Sequence, residues 1–364
     1  MRQKLHSRSA GAAIPAGQGI QTRRRRTTAT MRAAVCVRPG GPGALEVREL
    51  PVPAVREGWS LVQVMGAGLN RSELRTRQGY SPSVTFPRVL GIECVGTVAV
   101  STDPTLPEGT TVAAIMGEMG RAFDGSYAQY ALLPNLLLTP IRTTLPWDVL
   151  AALPETYLTA QGSLDALGIA AGGRLLIRGG TSSVGMAAAS IASGHGVETA
   201  ATTRQQGKAG ALAAAGADYA LVDEAGSLAE SVQAIWPEGP DYVLDLVGAS
   251  TAIDSLRIVR AGGTVCVSGS LSGWAIADFE PIAMIPSGTR LTAFHSDSLK
   301  GSAGATVLQR VIHEVQAGVY RPNVNRVFAL DDIAAAHQHM ESNRATGKLV
   351  VLPWPASAVH GGGS

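Results

Sequence analysis

The residues that most clearly indicate a chemical function form a glycine- and serine-rich turn, RGGTSSVG, from Arg178 to Gly185. The turn directly follows a strand-like apolar run and directly precedes a stretch of small residues that is typical of a helix. Small residues let backbone N–H groups approach a pyrophosphate, which then lies at the N-terminus of the helix. The three-glycine pattern of a dinucleotide site falls on Gly180, Ser182 and Gly185, so its middle glycine is replaced. The context favours such a site over an ordinary turn, with contacts from Gly180, Ser182, Ser183, Val184 and Gly185.

The end of the next predicted strand indicates which dinucleotide would bind. Sites for NAD carry an acidic residue about twenty positions after the turn, where it binds the adenosine ribose. Here residues 202–208 read TTRQQGK and contain no carboxylate. Arg204 and Lys208, close to Thr203, would instead pair with the 2′-phosphate of NADPH, because a guanidinium can bind phosphate with two hydrogen bonds. The sequence therefore predicts NADPH, with a solvated basic loop as the alternative interpretation.

Three further segments at predicted strand ends are candidates for the same site. Ligands of open α/β sheets bind outside the carboxyl ends of the strands. The predicted contacts are Leu246, Val247 and Gly248 after one strand, Ser268 and Gly269 after the next, and Phe294 after a third. His295, beside Phe294, is either a proton relay or an ordinary packing or solvent-facing residue.

The pattern of strands and helices predicts an α/β protein with two kinds of domain. Residues 31–150 contain short Val- and Leu-rich runs cut by Gly and Pro, which is typical of a compact β-rich domain. From residue 174 onward, strand-like and helix-like segments alternate, which predicts βαβ units and a doubly wound parallel sheet. The predicted divisions are a disordered basic leader (1–30), a catalytic domain (31–152), a Rossmann NADPH-binding domain (153–290), a segment that completes the catalytic domain (291–352) and a loose tail (353–364).

The composition is typical of a two-domain globular protein, and the overall charge does not indicate a nucleic-acid or acidic partner. The 364 residues carry a net charge of +2, and 45% of them are hydrophobic, which is enough for two cores. Residues 1–30 hold seven basic residues and no acidic one, so the remainder has 23 basic and 28 acidic residues, a net charge of −5. We interpret the leader as a disordered tail or a misplaced start, with a targeting peptide or a nucleic-acid-binding arm as alternatives.

The cysteines and the hydropathy indicate the environment of the protein. Cys36, Cys94 and Cys266 lie far apart without a C-x-x-C pair, so we expect no disulfide framework and a reducing compartment, the cytoplasm. No run of about 18 apolar residues is free of Gly and charge, so no membrane span is predicted. The expected partners are a small-molecule substrate and a second copy of the chain, as a homodimer, without specific nucleic acid.

Six short motifs, in order along residues 31–352, resemble one family. They read GAGLN from Gly66, FPRVLGIECVG from Phe86, GSYAQY from Gly125, LPETYLTA from Leu153, DLVG from Asp245 and GKLVV from Gly347. Together they resemble the medium-chain dehydrogenase/reductases, specifically the zinc-independent quinone oxidoreductase-like branch. The resemblance implies a GroES-like catalytic domain wrapped around an inserted Rossmann domain, with the active site in the cleft. It also implies that Thr159 contacts the nicotinamide carboxamide and that Lys348 lies near the cofactor.

The resemblance also shows which metal ligands are missing. Zinc alcohol dehydrogenases of this superfamily have a Cys at the position of Asn70 and a His at that of Ile92, directly before the glutamate that is Glu93 here. Neither Asn70 nor Ile92 is an effective zinc ligand, and Glu93 alone cannot hold a catalytic zinc. His337 and His339 are two residues apart, on different faces of a predicted helix, and we interpret them as surface residues. No metal site is predicted.

The lack of metal ligands determines the expected chemistry. Without a Lewis acid, alcohol oxidation loses its main activator, whereas an electron-poor acceptor stabilises the developing charge itself. We therefore expect an NADPH-dependent enzyme that transfers hydride to a quinone or an α,β-unsaturated carbonyl. The resemblance places Asn70 near the nicotinamide as a hydrogen-bond donor, and it suggests Tyr80 as a proton donor, unless Tyr80 is a wall of the cleft. The alternative functions are an enoyl-thioester reductase and a non-catalytic NADPH-binding sensor or RNA-binding protein.

Overall fold

The structure, a computed structural model, describes residues 29–223, 228–273 and 275–355. The predictions for the basic leader up to residue 28 and for the tail beyond residue 355 lie outside the described residues. The first strand begins at Thr30, one residue before the predicted start of the catalytic domain. Among the helices of the described ranges, none is long and apolar enough to cross a membrane.

The first part of the chain folds into antiparallel sheets, as its short strand-like runs predict. The apolar side chains of Val62, Val64 and Val98 are buried in a core that several of these strands share, and their removal from water stabilises the sheet. The elements are β1 (Thr30–Cys36), β2 (Leu45–Pro51), β3 (Trp59–Gly68), α1 (Arg71–Arg77), β4 (Arg88–Val89), β5 (Glu93–Ser101), β6 (Thr111–Ile115), β7 (Tyr130–Pro134), β8 (Thr139–Pro140) and α2 (Trp147–Leu150). Strand β1 pairs with β2 and β4, and β3 pairs with β5 and β7.

The middle of the chain forms a six-stranded parallel sheet, which confirms the doubly wound fold. Its elements are α3 (Pro154–Leu167), β9 (Arg174–Arg178), α4 (Ser183–Gly194), β10 (Glu198–Thr203), α5 (Ala209–Ala215), β11 (Tyr219–Val222), α6 (Leu228–Ile235), β12 (Tyr242–Asp245), α7 (Ala252–Ile258), β13 (Thr264–Val267), α8 (Pro281–Met284) and β14 (Arg290–Ala293). The spatial order is β11-β10-β9-β12-β13-β14. The direction of the order reverses at β9, and the crevice at such a point is where dinucleotides bind.

Strand β9 and helix α4 show why the sheet forms here. Leu175, Leu176 and Ile177 are fully buried, as expected for a parallel strand that is covered on both faces. Helix α4 buries a run of alanines, Ala187 to Ala189, whose small side chains let it approach the sheet and α3 closely. The strand and the helix that flank the glycine-rich turn are thus anchored in the core.

The end of the chain returns to the first domain. It contains α9 (Ser302–Gln316), β15 (Val324–Ala329), α10 (Ile333–Glu341) and β16 (Lys348–Leu352). Strand β16 pairs antiparallel with β3, with Val350 opposite Gly68. Gly347, directly before β16, donates its N–H to Thr181 O at 3.1 Å. This pairing places the start of β16 between the catalytic sheet and the glycine-rich turn.

Two predictions about the C-terminal part need correction. The tail is not loose at its start, because Trp354 Nε1 donates to Val64 O at 2.8 Å and its ring packs edge-on against Tyr130. His337 is not a surface residue, since it is fully buried with its ring against Tyr127. A spacing of two residues shows that two histidines lie on different helix faces, but it does not show which face meets the core.

Candidate active site

The glycine- and serine-rich turn joins β9 to α4 and is closed by its own hydrogen bonds. The Ser182 side chain caps α4 by accepting from Gly185 N at 3.1 Å. A Cβ on Gly185 would lie 2.7 Å from two backbone carbonyl oxygens, so the turn needs glycine there. The Ser182 hydroxyl donates to Gly179 O at 2.8 Å, which uses its hydrogen within the turn rather than for a phosphate. The predicted contacts from Gly180 to Gly185 thus form a compact turn whose helix N-terminus suits an anion.

The loop after β12 is shaped by one buried carboxylate. Asp245 Oδ1 accepts from the backbone N–H groups of Val247 and Gly248, both at 2.9 Å, and from the Thr251 hydroxyl. Gly248 has a φ of +101°, which favours glycine. The predicted contacts Leu246, Val247 and Gly248 therefore lie in a fixed loop at the carboxyl edge of the sheet.

One face of helix α3 lies along the ends of the next two strands. Ser163 Oγ is 2.7 Å from Ser268 Oγ, directly after β13. Phe294, directly after β14, packs its ring over Gly162, where any side chain would collide with the ring. Thr159 is nearly buried and donates its hydroxyl hydrogen to Glu155 O at 2.6 Å, so its oxygen can still accept a hydrogen bond from an amide. This face of α3 therefore borders the crevice where the cofactor is expected.

Three positive side chains from both domains lie together near the end of β10, and we call them the basic cluster: Arg71, Arg204 and Lys208. Lys208 Nζ donates to the backbone oxygens of Asn343 and Ala345 at 2.8 and 3.1 Å, and the Arg71 guanidinium donates to Asn343 Oδ1. Partial burial and the nearby charge of Arg204 lower the pKa of Arg71. Partial burial and the charges of Arg204 and Arg71 lower the pKa of Lys208. These cations repel one another, so a bound anion would stabilise the cluster.

A buried network of charged side chains lies where β16 meets the catalytic sheet. Lys348 Nζ donates to Glu93 Oε1 at 2.6 Å and to Asn70 Oδ1 at 2.7 Å. The side chain of Lys348 is 2% exposed and that of Glu93 is fully buried. The family resemblance implies that Lys348 lies near the cofactor. In the structure its ammonium group binds two protein side chains, Asn70 and Glu93, and its closeness to the cofactor stays a prediction.

Asn70 is held within this network by a second carboxylate. Its Nδ2 donates to Glu93 Oε1 at 2.9 Å and to Glu73 Oε1 at 3.3 Å, and its backbone N–H donates to Glu73 Oε2. Burial raises the pKa of Glu73 to about 7, against the opposing effect of Lys348. Both amide hydrogens of Asn70 thus face carboxyl groups. In this structure neither amide hydrogen of Asn70 is free for an acceptor molecule, and a catalytic role for Asn70 stays a prediction.

Tyr80 lies apart from the network. Its side chain is 70% exposed in the loop after α1, with the Arg75 guanidinium 5.8 Å from its ring centre. The structure therefore does not bring Tyr80 together with Asn70 as a second donor.

Glu155, in the first turn of α3, links the network to the cofactor crevice. Its backbone N–H donates to Glu93 Oε2 at 2.9 Å, and its Oε1 accepts from the Ser296 hydroxyl at 2.6 Å. The Thr159 hydroxyl lies 3.3 Å from the same oxygen. Its Oε2 is buried without a hydrogen-bond partner. Burial and the Glu93 charge raise the pKa of Glu155 to about 8, so the carboxyl is mostly protonated at neutral pH.

The network does not fit a catalytic zinc. Within the described ranges, no group of three or more His, Cys, Asp or Glu side chains is placed to hold a metal ion. Glu93 is bonded to the Lys348 ammonium, which would repel a second cation at that position. The groups that could act on a substrate are therefore hydrogen-bonding and acid–base groups.

Glu155 and Arg71 are not among the site residues predicted from the sequence. A signal for Glu155 exists, because Glu155, Thr159 and Ser163 are four residues apart and share one face of a helix. No signal exists for Arg71, since its closeness to Arg204 depends on how the two domains meet.

Two family models match the chain. The model described as alcohol dehydrogenase GroES-like domain matches residues 56–143, and the one described as zinc-binding dehydrogenase matches residues 215–351. The human quinone oxidoreductase is 25% identical over 88% of this chain and 98% of its own length. The chloroplastic NADPH-dependent alkenal/one oxidoreductase of Arabidopsis thaliana is 27% identical over 89% of this chain and 80% of its own length. A mycobacterial structure in complex with NADPH is 26% identical, with a TM-score of 0.79, and covers 89% of this chain and 100% of that one.

The fold and the site define an oxidoreductase in which a β-rich domain and a Rossmann domain enclose a nicotinamide-cofactor crevice. The chain belongs to the medium-chain dehydrogenase/reductase superfamily, in its quinone oxidoreductase-like branch.

Proposed function

We propose that the protein is an NADPH-dependent enzyme that transfers hydride to a quinone or an α,β-unsaturated carbonyl without zinc. The observation that carries this proposal is the network at the inner end of the crevice, where Lys348, Glu93 and Asn70 occupy the region in which a metal would act. Bound NADPH would supply the hydride. Such a site orients the acceptor and stabilises its developing charge through hydrogen bonds, which suffices for an electron-poor acceptor. The names of the human and Arabidopsis relatives agree with both acceptor classes.

The basic cluster supports NADPH over NADH. Arg71, Arg204 and Lys208 surround the end of β10, where the adenosine ribose of a dinucleotide lies in Rossmann folds. A 2′-phosphate there would relieve the repulsion among the three cations. Because Arg71 comes from the catalytic domain, the phosphate would also hold the two domains together.

Replacing Arg71 or Arg204 with Ala is expected to weaken NADPH binding by roughly tenfold or more and to leave NADH binding nearly unchanged. Each lost charge-assisted hydrogen bond to phosphate is worth about 1.5–3 kcal/mol. Dissociation constants measured by fluorescence titration with both cofactors test this. Arg48→Ala, an exposed arginine paired with Glu46 on β2, serves as the control. Equal losses for NADPH and NADH would show that the cluster does not bind the 2′-phosphate.

A screen of acceptors tests the reaction class. We expect NADPH oxidation with quinones or enones, unchanged by a metal chelator, and poor oxidation of simple alcohols, because the site holds no metal to activate them. Turnover with enoyl-thioesters in place of quinones and enones would favour the enoyl reductase alternative. Loss of activity in chelator, with about one tightly bound zinc per chain in elemental analysis, would refute the metal-free mechanism.

We also propose a homodimer in the cytoplasm. Strand β14 is an edge of the parallel sheet, and Ile282 in the preceding helix α8 is 98% exposed. Among the described residues β14 pairs with β13 alone, and such a strand edge, together with an exposed apolar side chain on the preceding helix, suits pairing with a second copy. Cys36, Cys94 and Cys266 are buried free thiols, which agrees with a reducing compartment. A monomer mass in light scattering would contradict the dimer.

A further inference from the structure

The proposed reaction requires a proton that neither sequence-predicted donor supplies. When a quinone or enone accepts a hydride, negative charge develops on its oxygen and must be neutralised. Asn70 uses both amide hydrogens on carboxyl groups, and Tyr80 is 70% exposed and outside the network. Lys348 donates two of its three hydrogens to Asn70 and Glu93. Loss of the third hydrogen would leave the buried Glu93 without a compensating charge, so a group other than Lys348 is needed as the proton source.

We propose that Glu155 stores this proton and that the Thr159 hydroxyl delivers it to the reduced acceptor. The two side chains lie on one face of α3, with Glu155 Oε1 3.3 Å from Thr159 Oγ1. The same face meets the strand ends at Ser268 and Ser296, so it borders the crevice in which the nicotinamide is expected. This assignment rests on the proposed function.

The surroundings of Glu155 explain why its carboxyl keeps a proton. The charged groups that face it are Glu93 from β5, Lys348 from β16 and Glu73 from α1, and the turn after β14 contributes the Ser296 hydroxyl. Lys348 is bonded to Glu93, so one ammonium group serves three buried carboxyl groups. Oε2 of Glu155 has no hydrogen-bond partner and no contact with water, which makes a negative charge on it costly. Protonation removes that cost.

The proton transfer balances with the hydride transfer. Bound NADPH would supply the hydride, and with it two electrons, to the acceptor. The Thr159 hydroxyl hydrogen turns from Glu155 O to the anionic oxygen of the acceptor, and the Thr159 O–H bond breaks as that oxygen binds the proton. The Glu155 carboxyl O–H bond breaks as its proton restores the threonine hydroxyl, and the Glu155 carboxylate regains a proton from water after the product leaves.

Infrared difference spectroscopy of the protein without cofactor tests the stored proton. The wild type is expected to show the carbonyl stretch of a protonated carboxyl group that is lost on titration near pH 8, besides that of Glu73, which should be lost near pH 7. Glu155→Gln should leave the band of Glu73 and remove the band lost near pH 8. Thr159→Val should keep it, because the carboxyl remains buried. Asp165→Asn, a carboxyl-to-amide change at an exposed position of the same helix, should also keep it. A wild type without the band, or a Glu155→Gln variant that retains it, overturns the proposal.

Kinetics with NADPH and a quinone or enone test delivery. Glu155→Gln and Thr159→Val should each lower kcat by about 100-fold, the usual range for loss of general acid catalysis, while Asp165→Asn has little effect. The wild-type kcat should fall as the pH rises through about 8, and this dependence should vanish in Glu155→Gln. Unchanged kcat and pH profile in Glu155→Gln would overturn the delivery role. If none of the quinones or enones supports NADPH oxidation by the wild type, the proposed function fails. The infrared titration still decides whether Glu155 holds the proton.

Discussion

Replacing Lys348 with Met is expected to lower the free energy of unfolding by about 3–5 kcal/mol, the usual cost of removing one partner of a buried ion pair. The Lys348 side chain is 2% exposed, and its ammonium group bonds Glu93 Oε1 and Asn70 Oδ1. Its removal leaves Glu93 buried beside Glu73 and Glu155 without a compensating charge. Activity should fall as well, because Asn70 and Glu93 lose the group that fixes their orientation.

Urea unfolding followed by circular dichroism measures this effect, with two controls. Lys300→Met removes a lysine that pairs with Asp297 at the surface, where ion pairs contribute at most about 1 kcal/mol. The double variant Glu93→Gln/Lys348→Met neutralises the carboxylate together with its partner and should recover part of the loss. A Lys348→Met protein as stable as Lys300→Met would show that the buried ion pair contributes nothing.

The second large effect is a dependence of stability on pH. The free energy of unfolding should decline as the pH rises from about 4.5 to about 8. The pKa of Glu155 is raised from 4.5 to about 8 in the fold, and that of Glu73 from 4.5 to about 7. Between these values the native state binds more protons than the unfolded state, so raising the pH favours unfolding. When the pKa of a group differs by one between the folded and unfolded states, the stability changes by about 1.4 kcal/mol. The two glutamates together therefore change the stability by several kcal/mol.

His337 has the opposite effect on the acid side. Burial and the nearby Arg77 lower its pKa from 6.5 to about 3. Between these values the unfolded state binds more protons, so stability is lost as the pH falls below about 6.5. Because two glutamates act against one histidine, the two effects balance near pH 4.5, so stability is expected to fall both above and below about pH 4.5.

Melting temperatures across this pH range, measured by calorimetry, test both arms. Glu155→Gln should make the alkaline arm less steep and confine it to the range of Glu73, up to about pH 7, because the amide is neutral at every pH. Asp165→Asn, at an exposed carboxylate of the same helix, should reproduce the wild-type curve. A wild-type stability that stays constant up to pH 8 would contradict the raised pKa values of Glu155 and Glu73.

Much of the architecture follows from local sequence. Runs such as 175–177, which are apolar throughout, become strands covered on both faces, and their alternation with helices specifies a parallel sheet. The turn from Arg178 to Gly185 is recognisable because its small residues, its strand and its helix are contiguous in the chain. Helix and strand formation and turn geometry depend on neighbours within a few residues, which the sequence displays directly.

The chemistry of the candidate site depends instead on residues that are far apart in the chain. Lys348 lies 278 positions from Asn70 and 255 from Glu93, and only the pairing of β16 with β3 brings the three together. Asn70 is predicted to be a free donor because the sequence does not reveal that carboxyl groups already accept both of its amide hydrogens. The spacing of Glu155 places it on one helix face with Thr159, but its raised pKa depends on burial and on the charge of Glu93, which the sequence does not show. Burial and charge pairing are properties of the assembled fold, because they depend on which side chains exclude water from each other.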